Sequence, residues 1–351
     1  MRREPFISIV INNHNYGRFL AAAIESALAQ TYPATETIVV DDGSTDESRA
    51  VLDRYDGRVR ALLKPNGGQA SAINAGFALC RGDVVIFLDS DDMLLPDLAA
   101  RVAAAFRAAP DTVRVQYRLE VTDSEGHATG ERIPADYVTM PSGDLGAGVA
   151  RFNNVTWWPP TSGHAFSART LQRILPMPEL LFYLSVDYYL VRASALCGPI
   201  LSLNRVGARY RRHETNRDLR DRLDLDQVRT QIALTHDAQP ILKEFAESRR
   251  LRSLPSDADG VADLRYFAMR MISLKLDRAR HPLANDTLTR LAIRGMRVAV
   301  LQKHLPWRMR LLAAFWFLTL LPVPRGQARV LAEEYFYPET RSRLARVLCR
   351  R

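Results

Sequence analysis

Five consecutive apolar residues, at positions 84–88, run directly into the carboxylates of Asp89, Asp91 and Asp92. This unbroken run predicts a strand that is buried on both faces of a parallel sheet. Ligands bind beyond the carboxyl ends of such strands, and crowded carboxylates repel one another unless a cation or a ligand compensates. We therefore predict a site for a metal and a diphosphate. An acidic N-cap on the helix near Pro96 would explain one of the three carboxylates, and we assign that role to Asp92.

Strand-like and helix-like segments alternate before this point. Predicted strands cover residues 6–11, 37–40, 59–63 and 84–88, and predicted helices cover 20–30 and 70–80. The alternation predicts a parallel, doubly wound α/β sheet flanked by helices. The residues at one edge of that sheet would be Asn12, Asp42, Gly68 and Asp89. Gly67 and Gly68 would let backbone amides approach an anion at the start of a helix, although a plain tight turn has the same sequence.

The length and the charge of the chain restrict the class of protein that it can be. The 351 residues are many for one core, which favours a large domain with an appendage, or two domains. The three cysteines form no CxxC pair and the chain starts without a secretory pattern, so we expect a reducing compartment, the cytoplasm. Residues 1–203 contain 18 basic and 23 acidic side chains, so the formal net charge of +9 arises in the remainder. That asymmetry favours a polyanionic partner, either nucleic acid or anionic lipid.

The motifs of residues 1–110 together resemble the family 2 glycosyltransferases of the GT-A fold, and a thinner resemblance continues to about Asn216. The matching stretches are SIVI at 8–11 with Asn13 and Asn15, ALAQTYP at 27–33, residues 36–44, NGGQ at 66–69 with the helix to Gly76, and LDSD at 88–91. The resemblance implies a GT-A fold, which has a Rossmann-like, mainly parallel sheet flanked by helices, and a member of the type that builds bacterial cell-surface polysaccharides. It also implies inverting transfer of a sugar from a nucleotide-diphosphate donor, a UDP-sugar in our prediction, to a hydroxyl of a glycan or lipid-linked acceptor.

The same resemblance implies roles for individual donor-site residues. Asn12 and Asp42 would line the nucleotide pocket, with Asp42 reading the base, and Gly68 would pass close to the nucleotide. Asp89 would approach the ribose, and Asp91 would bind Mn²⁺ or Mg²⁺ as the cofactor that bridges the two phosphates. A cation would offset the negative charge that develops on the diphosphate leaving group.

A second set of residues is implied on the acceptor side. Trp157 and Trp158 would form a platform for an acceptor sugar, although packing in the core is the commoner use of tryptophan. Asp187 begins a predicted helix among apolar neighbours, which would raise its pKa and suit a general base. A charge that simply stabilises the start of the helix is the alternative for Asp187. The family usually has a Glu-Asp pair at this place, and here Val186 replaces the glutamate.

The stretch Tyr210-Arg211-Arg212-His213 resembles a family motif that returns to the donor site. His213 would be a further metal ligand, and Arg211 or Arg212 would hold a phosphate. A surface position is the alternative for a lone histidine beside arginines. We predict that residues 1–216 form the glycosyltransferase domain and that residues 217–351 form a helical C-terminal extension.

A membrane-associating segment is predicted near residues 307–325. Fourteen uncharged residues separate Arg310 from Arg325, which is short of the ~20 needed to span a bilayer as a helix. A helix in the membrane surface or a shallow re-entrant helix fits this length, and a buried core helix is the alternative. The expected location is therefore the inner face of the cytoplasmic membrane, with an anionic lipid surface as partner.

Two rival functions are a sugar-phosphate nucleotidyltransferase and a basic nucleic-acid-binding protein. The first usually needs a Gly-rich basic loop near its N-terminus, and the second a recognisable binding motif, and neither is present here.

Overall fold

A computed structural model describes residues 4–146, 149, 158–179, 186–214, 216, 223–248, 250, 264–302 and 305–336. The strands in these residues are β1 Ile7–Asn13, β2 Thr35–Asp42, β3 Arg60–Lys64, β4 Val84–Asp89, β5 Met93–Leu94, β6 Arg114–Thr122, β7 Ala128–Ile133, β8 His164–Ser167 and β9 Ile200–Arg211. The helices are α1 Gly17–Leu28, α2 Ser48–Asp53, α3 Gln69–Leu79, α4 Leu98–Ala108, α5 Ala168–Ile174, α6 Val186–Ala195, α7 Leu225–Ser248, α8 Leu264–Leu276, α9 Leu288–Leu301, α10 Trp307–Thr319 and α11 Arg325–Phe336. The predicted strands and helices of the first 90 residues are confirmed, with ends that move by a few residues.

The described strands form one sheet in the order β3-β2-β1-β4-β8-β6-β9-β5, with β7 paired to β6. The four strands β3, β2, β1 and β4 run parallel, as the alternation of strands and helices predicts. Beyond β4 the sheet is mixed, because β8 runs antiparallel to both β4 and β6. Strand β9 then pairs parallel with β6 and antiparallel with β5. The sheet is therefore α/β and Rossmann-like in its first half and of mixed direction in its second.

The sheet has an apolar layer on each face. On one face Val10, Val40 and Phe87 belong to a cluster that helices α3 and α6 cover. On the other face Ile11 and Leu88 belong to a cluster that helices α1 and α4 cover. Successive residues of a strand point to opposite faces, so two covered faces require the unbroken apolar runs seen in the sequence.

The register of the parallel strands brings their carboxyl ends to one edge. Asn12 of β1 lies opposite Asp89 of β4, and Asn13 lies opposite Asp41 of β2. Asp42, the last residue of β2, lies opposite Lys64 of β3. The prediction that polar side chains from separate strands meet at this edge is confirmed.

Helices α8 to α11 of the extension share a separate apolar cluster, in which Phe317 and Leu320 are fully buried. Helix α7 connects the two parts, because Ala238, Leu242 and Ala246 belong to a cluster of the sheet. Among the described residues, no helix has both the length and the apolar composition that crossing a bilayer requires. In the segment 307–325, one side of α10 is buried against other helices and the other side is exposed on the surface of the protein.

Candidate active site

A cavity of about 670 Å³ opens at the carboxyl edge of the sheet. One part of its lining comes from strand ends and the loops after them, namely Asn12, Asn13, His14, Asp42, Asn66, Gly68, Gln69, Asp89, Ser90 and Asp91. A second part comes from Pro160, Thr161, Asp187 and Tyr188, which follow later in the chain. A third part comes from α7, α8 and α11, through Gln227, Val228, Gln231, Thr235, Arg265, Tyr266, Met269 and Phe336. The sheet and the C-terminal helices thus share one cavity.

Asp42 is held by a loop that folds over the end of β2. Its Oδ1 accepts hydrogen bonds from Lys64 Nζ at 2.5 Å and from the Gly67 amide at 3.0 Å, while its Oδ2 accepts from the Gly68 amide at 2.7 Å. Gly68 has a φ of +83°, a left-handed conformation that glycine adopts without strain. The glycine pair therefore lets two successive amides bind the Asp42 carboxylate. Both Asp42 and Gly68 line the cavity, as their predicted donor-binding roles require.

Asp89 is the last residue of β4 and lines the cavity. Its Oδ1 accepts hydrogen bonds from Asn12 Nδ2 at 2.9 Å and from Gln69 Nε2 at 2.7 Å. Burial, followed by the nearby charge of Asp91, raises the pKa of Asp89 to about 7. The charge of Asp187 acts in the same direction, so Asp187 lies within electrostatic reach of the strand ends.

Asp91 and His213, which the resemblance implies to be metal ligands, form a buried pair. Asp91 Oδ2 lies 3.0 Å from His213 Nε2 and accepts a hydrogen bond from Asn216 Nδ2 at 3.3 Å. The rings of Tyr16 and Phe19 pack against the imidazole, with centroids 5.2 Å and 4.6 Å away. The two aromatic rings and Asn216 hold His213 in one orientation beside the carboxylate.

This pair fits a divalent cation with few protein ligands. Two atoms bound at right angles around Mg²⁺, with bonds of about 2.0–2.1 Å, lie about 3 Å apart, which is the separation of Asp91 Oδ2 and His213 Nε2. Within the described residues, no group of three or more His, Cys, Asp or Glu side chains could hold a metal ion. A cation here would therefore need oxygen atoms from a ligand or from water. Asn12 Oδ1 and Ser90 Oγ, which are buried at the same edge, have no hydrogen-bond partner in the described part of the chain.

The prediction that Asp92 caps a helix is wrong. Helix α4 begins at Leu98, and Asp92 Oδ1 accepts a hydrogen bond from the backbone amide of Arg211 at 3.0 Å. Arg211 in turn donates from Nε to the Asp91 carbonyl at 3.0 Å and from Nη1 to the Ser124 carbonyl at 2.7 Å. Burial, with the charges of Asp91 and Asp89, raises the pKa of Asp92 well above its usual range. Asp92 and Arg211 therefore fasten the end of β9 to the loop after β4.

Asp187 lies in the first turn of α6 and accepts a hydrogen bond from Thr161 Oγ1 at 2.8 Å. Val186, which replaces the glutamate of the family pattern, is fully buried in the core. The substitution therefore removes no group from the cavity surface, and Thr161 is a residue that orients the acid.

Trp158, Arg211 and Arg212 are not among the residues that line the cavity. Trp158 packs on the buried Arg114, whose guanidinium lies 4.0 Å from the indole ring, so the contact that the structure shows is packing. Arg212 forms an ion pair with Glu131 at 2.7 Å. Trp157 falls outside the described residues. The acceptor role of the tryptophans and the phosphate role of Arg211 and Arg212 stay predictions.

Several lining residues were not foreseen. Gln69 directly follows the glycine pair, and its closeness in sequence to Gly68 was a usable signal. Thr161 carries no signal of its own, because it reaches Asp187 only through the fold. The contribution of α7, α8 and α11 was missed because their apolar spacing indicates helices without indicating what those helices face.

Comparison with known proteins agrees with the geometry. The family model described as glycosyl transferase family 2 matches residues 8–163. An uncharacterized glycosyltransferase of Nostoc sp. is 34% identical over 214 residues, which are 60% of this chain and 66% of that protein. A chondroitin synthase of Escherichia coli is 38% identical over 130 residues, which are 36% of this chain and 19% of that protein. The chain thus spans just under two thirds of the first relative and a small part of the second.

The crystal structure of residues 1–349 of S. aureus TarS has the same fold. It superposes with a TM-score of 0.53 at 15% identity and covers 94% of this chain and 91% of that one. Residues 8–163, which include the sheet edge with its ordered carboxylates, thus match glycosyl transferase family 2, and the match covers less than half of the chain.

Proposed function

We propose that the protein transfers a sugar from a nucleotide-diphosphate donor to a hydroxyl of a glycan or lipid-linked acceptor, with inversion at the sugar carbon. The observation that carries this proposal is the single cavity that contains the ends of β1, β2 and β4 together with Asp187. Acidic and amide groups at the strand ends suit a nucleoside and a cation that offsets the charge of its phosphates, and a separate acid in the same cavity suits an acceptor hydroxyl.

Asp91 and His213 would hold Mn²⁺ or Mg²⁺. The 3.0 Å between their ligating atoms supports this assignment. Having only two protein ligands is compatible with the metal, because Mg²⁺ is commonly bound by one or two carboxylates plus substrate phosphates. The cation would supply positive charge where the leaving diphosphate gains negative charge.

The donor side would be completed by groups that this chain holds in place. Asn12 Oδ1 and Ser90 Oγ would gain partners from a bound donor, which supports their place in the site. Asp42 would contact the base or ribose through lone pairs that Lys64, Gly67 and Gly68 leave unused. Tests can start with UDP-sugars, because TarS, whose likeness shows the fold alone, has been crystallised with UDP-GlcNAc.

Asp187 would act as general base. As the acceptor oxygen forms its bond to the sugar carbon, the bond from that carbon to the diphosphate breaks and the hydroxyl proton passes to Asp187. Attack from the side opposite the leaving group gives inversion. Thr161 would orient the carboxylate by donating to its Oδ1 at 2.8 Å.

The acceptor would lie against the helical extension. The wall made by α7, α8 and α11 combines amide and hydroxyl groups of Gln231 and Thr235 with the apolar side chains of Met269 and Phe336. Such a mixture fits a sugar that is joined to an apolar carrier. A lipid-linked acceptor agrees with the predicted place at the cytoplasmic face of a membrane, although a free glycan would meet the polar groups equally well.

Product analysis tests the proposed function. The purified chain is incubated with Mn²⁺, a panel of UDP-, GDP-, dTDP- and CMP-sugars, and a membrane lipid extract as the source of acceptor. We expect acceptor-dependent release of the nucleotide from one donor, with the sugar recovered in the acceptor fraction. The rival nucleotidyltransferase would instead release pyrophosphate from a nucleoside triphosphate and a sugar phosphate, and that product would overturn the proposal.

A further inference from the structure

The helical extension exposes a row of large apolar side chains. On α10 the exposed residues are Trp307, Leu311, Leu312, Phe315 and Leu318, each between 45% and 64% exposed. Four of them follow one another at intervals of three or four residues, so they lie along one side of the helix. We call these five residues the α10 stripe. Large exposed apolar patches generally mark an interaction site.

The opposite side of α10 is firmly packed. Phe317 is fully buried, and its ring fills the space left by the missing side chain of Gly295 on α9. Trp316 donates from Nε1 to the Leu331 carbonyl at 3.0 Å and stacks on Tyr335 with ring centroids 4.4 Å apart. Helix α10 therefore packs on the other helices through the side that carries Trp316 and Phe317. The α10 stripe takes no part in that packing.

The sequence that contains α10 carries charge of one sign between Asp286 and Glu333. Residues 287–332 contain eight Lys and Arg residues and no Asp or Glu. Arg308, in the first turn of α10, is exposed, and so are Arg325 and Arg329, which follow its last turn. The apolar stripe is thus bordered at both ends by exposed positive charge.

We propose that the α10 stripe inserts among the headgroups of an anionic lipid bilayer, with α10 parallel to the membrane plane. The 13 residues of α10 are fewer than the ~20 that a crossing helix needs, whereas an in-plane helix has no such minimum. Tryptophan at one end of an apolar stripe suits the depth of the headgroups. The flanking arginines would bind lipid phosphates. This inference concerns attachment and does not depend on the chemistry proposed for the cavity.

Two other partners fit the stripe less well. A second copy paired through the same face would bring two acid-free, arginine-bearing surfaces together, so like charges would oppose the contact. A nucleic acid would use the arginines but would leave five large apolar side chains without burial. An anionic bilayer uses both the apolar and the basic groups.

Vesicle sedimentation of the full chain tests the proposal. The vesicles are phosphatidylcholine alone or phosphatidylcholine mixed with phosphatidylglycerol, at low and at high salt. We expect binding to the anionic vesicles that weakens at high salt and is much weaker on neutral vesicles. The variant L311Q/F315Q should reduce the bound-to-free ratio at least about tenfold, because two large apolar side chains no longer gain from insertion.

Matched variants separate this surface from the rest of the protein. Leu63→Gln changes a side chain of similar exposure on β3 and should leave binding unchanged. R325Q/R329Q should weaken binding to anionic vesicles, whereas R54Q/R58Q, with the same change in net charge on the catalytic domain, should not. Circular dichroism and thermal unfolding confirm that each variant is folded.

Three results would overturn the proposal. The first is that wild type binds no vesicles; a dimer that L311Q/F315Q dissociates, measured by analytical ultracentrifugation, would then show that the stripe is a protein interface. The second is equal binding of wild type and L311Q/F315Q. The third is equal binding to neutral and anionic vesicles.

Discussion

The two walls of the cavity are built on different principles. On the sheet side, Asn12, Asp42 and Asp89 stand at strand ends, and each is hydrogen-bonded to a residue of another strand, loop or helix. On the side of the extension, the lining comes from three helices and includes apolar residues such as Met269 and Phe336. A pre-ordered polar wall suits one small charged ligand, and a mixed wall suits a larger ligand with polar and apolar parts. Changes to the two walls should therefore affect different measured quantities.

The largest effect is expected where the walls meet, at Asp187. Asp187→Asn keeps the volume of the side chain and removes its ability to accept a proton, so transfer should fall by about 10²–10⁴-fold. Nucleotide-sugar affinity should stay unchanged in calorimetry. Thr161→Val removes only the hydroxyl that orients Asp187 and should cost about tenfold or more. Parallel loss of transfer and donor affinity in Asp187→Asn would show that Asp187 supports the structure of the cavity instead.

The next effect belongs to the sheet wall alone. Asp42→Ala removes the acceptor for Lys64, Gly67 and Gly68, so the loop loses its anchor and nucleotide affinity should fall by about 10–100-fold. Asp42→Asn retains an acceptor oxygen and should lose less. Binding of Mn²⁺ at Asp91 and His213, followed by electron paramagnetic resonance, should stay as in wild type. A loss of Mn²⁺ binding in Asp42→Ala would mean that Asp42 also helps to hold the cation.

The contrast between the walls also explains what the sequence could predict. The ends of the strands can be predicted from the apolar runs, and parallel strands bring their carboxyl ends to one edge of the sheet. The sequence could therefore predict that Asn12, Asp42 and Asp89 lie at that edge. Thr161 and Asp187 come from separate elements, and only the packing of α6 against the sheet brings them within 2.8 Å. The residues of α7 and α8 are set by tertiary packing, which local periodicity does not specify. Asp92 was misjudged because an acid before a helix predicts a cap, whereas its actual partner is the distant Arg211 amide.

A smaller effect should be confined to the helical wall. Arg265→Gln and Phe336→Ala change side chains that line the cavity from α8 and α11, so the acceptor KM should rise about tenfold without a change in donor affinity. Arg297→Gln, on the same extension but outside the lining, is the control for the loss of charge. If donor affinity fell with Arg265→Gln, the division of the cavity into two walls would be wrong.

The smallest effect concerns the packing of the extension. A methyl group added at Gly295 would lie 2.3 Å from the Phe317 ring, whereas one added at Gly326 would meet open space. Overpacking outweighs the gain in helix propensity, so Gly295→Ala should lower the free energy of unfolding by about 1 kcal/mol. Gly326→Ala also gains helix propensity but introduces no clash, so it should not lower the free energy of unfolding. Denaturant unfolding compares the two variants, and equal stability would mean that α9 and α10 are not packed through this contact.

The central claim is that the sheet wall binds a nucleoside diphosphate through a cation held by Asp91 and His213. Titration calorimetry of UDP measures this most directly, with wild type and Asp91→Asn, each in Mn²⁺ and in a chelator. We predict tight binding only for wild type in Mn²⁺, because the carboxylates of the sheet edge repel a diphosphate when no cation is present. Equal affinity in all four titrations would contradict the claim.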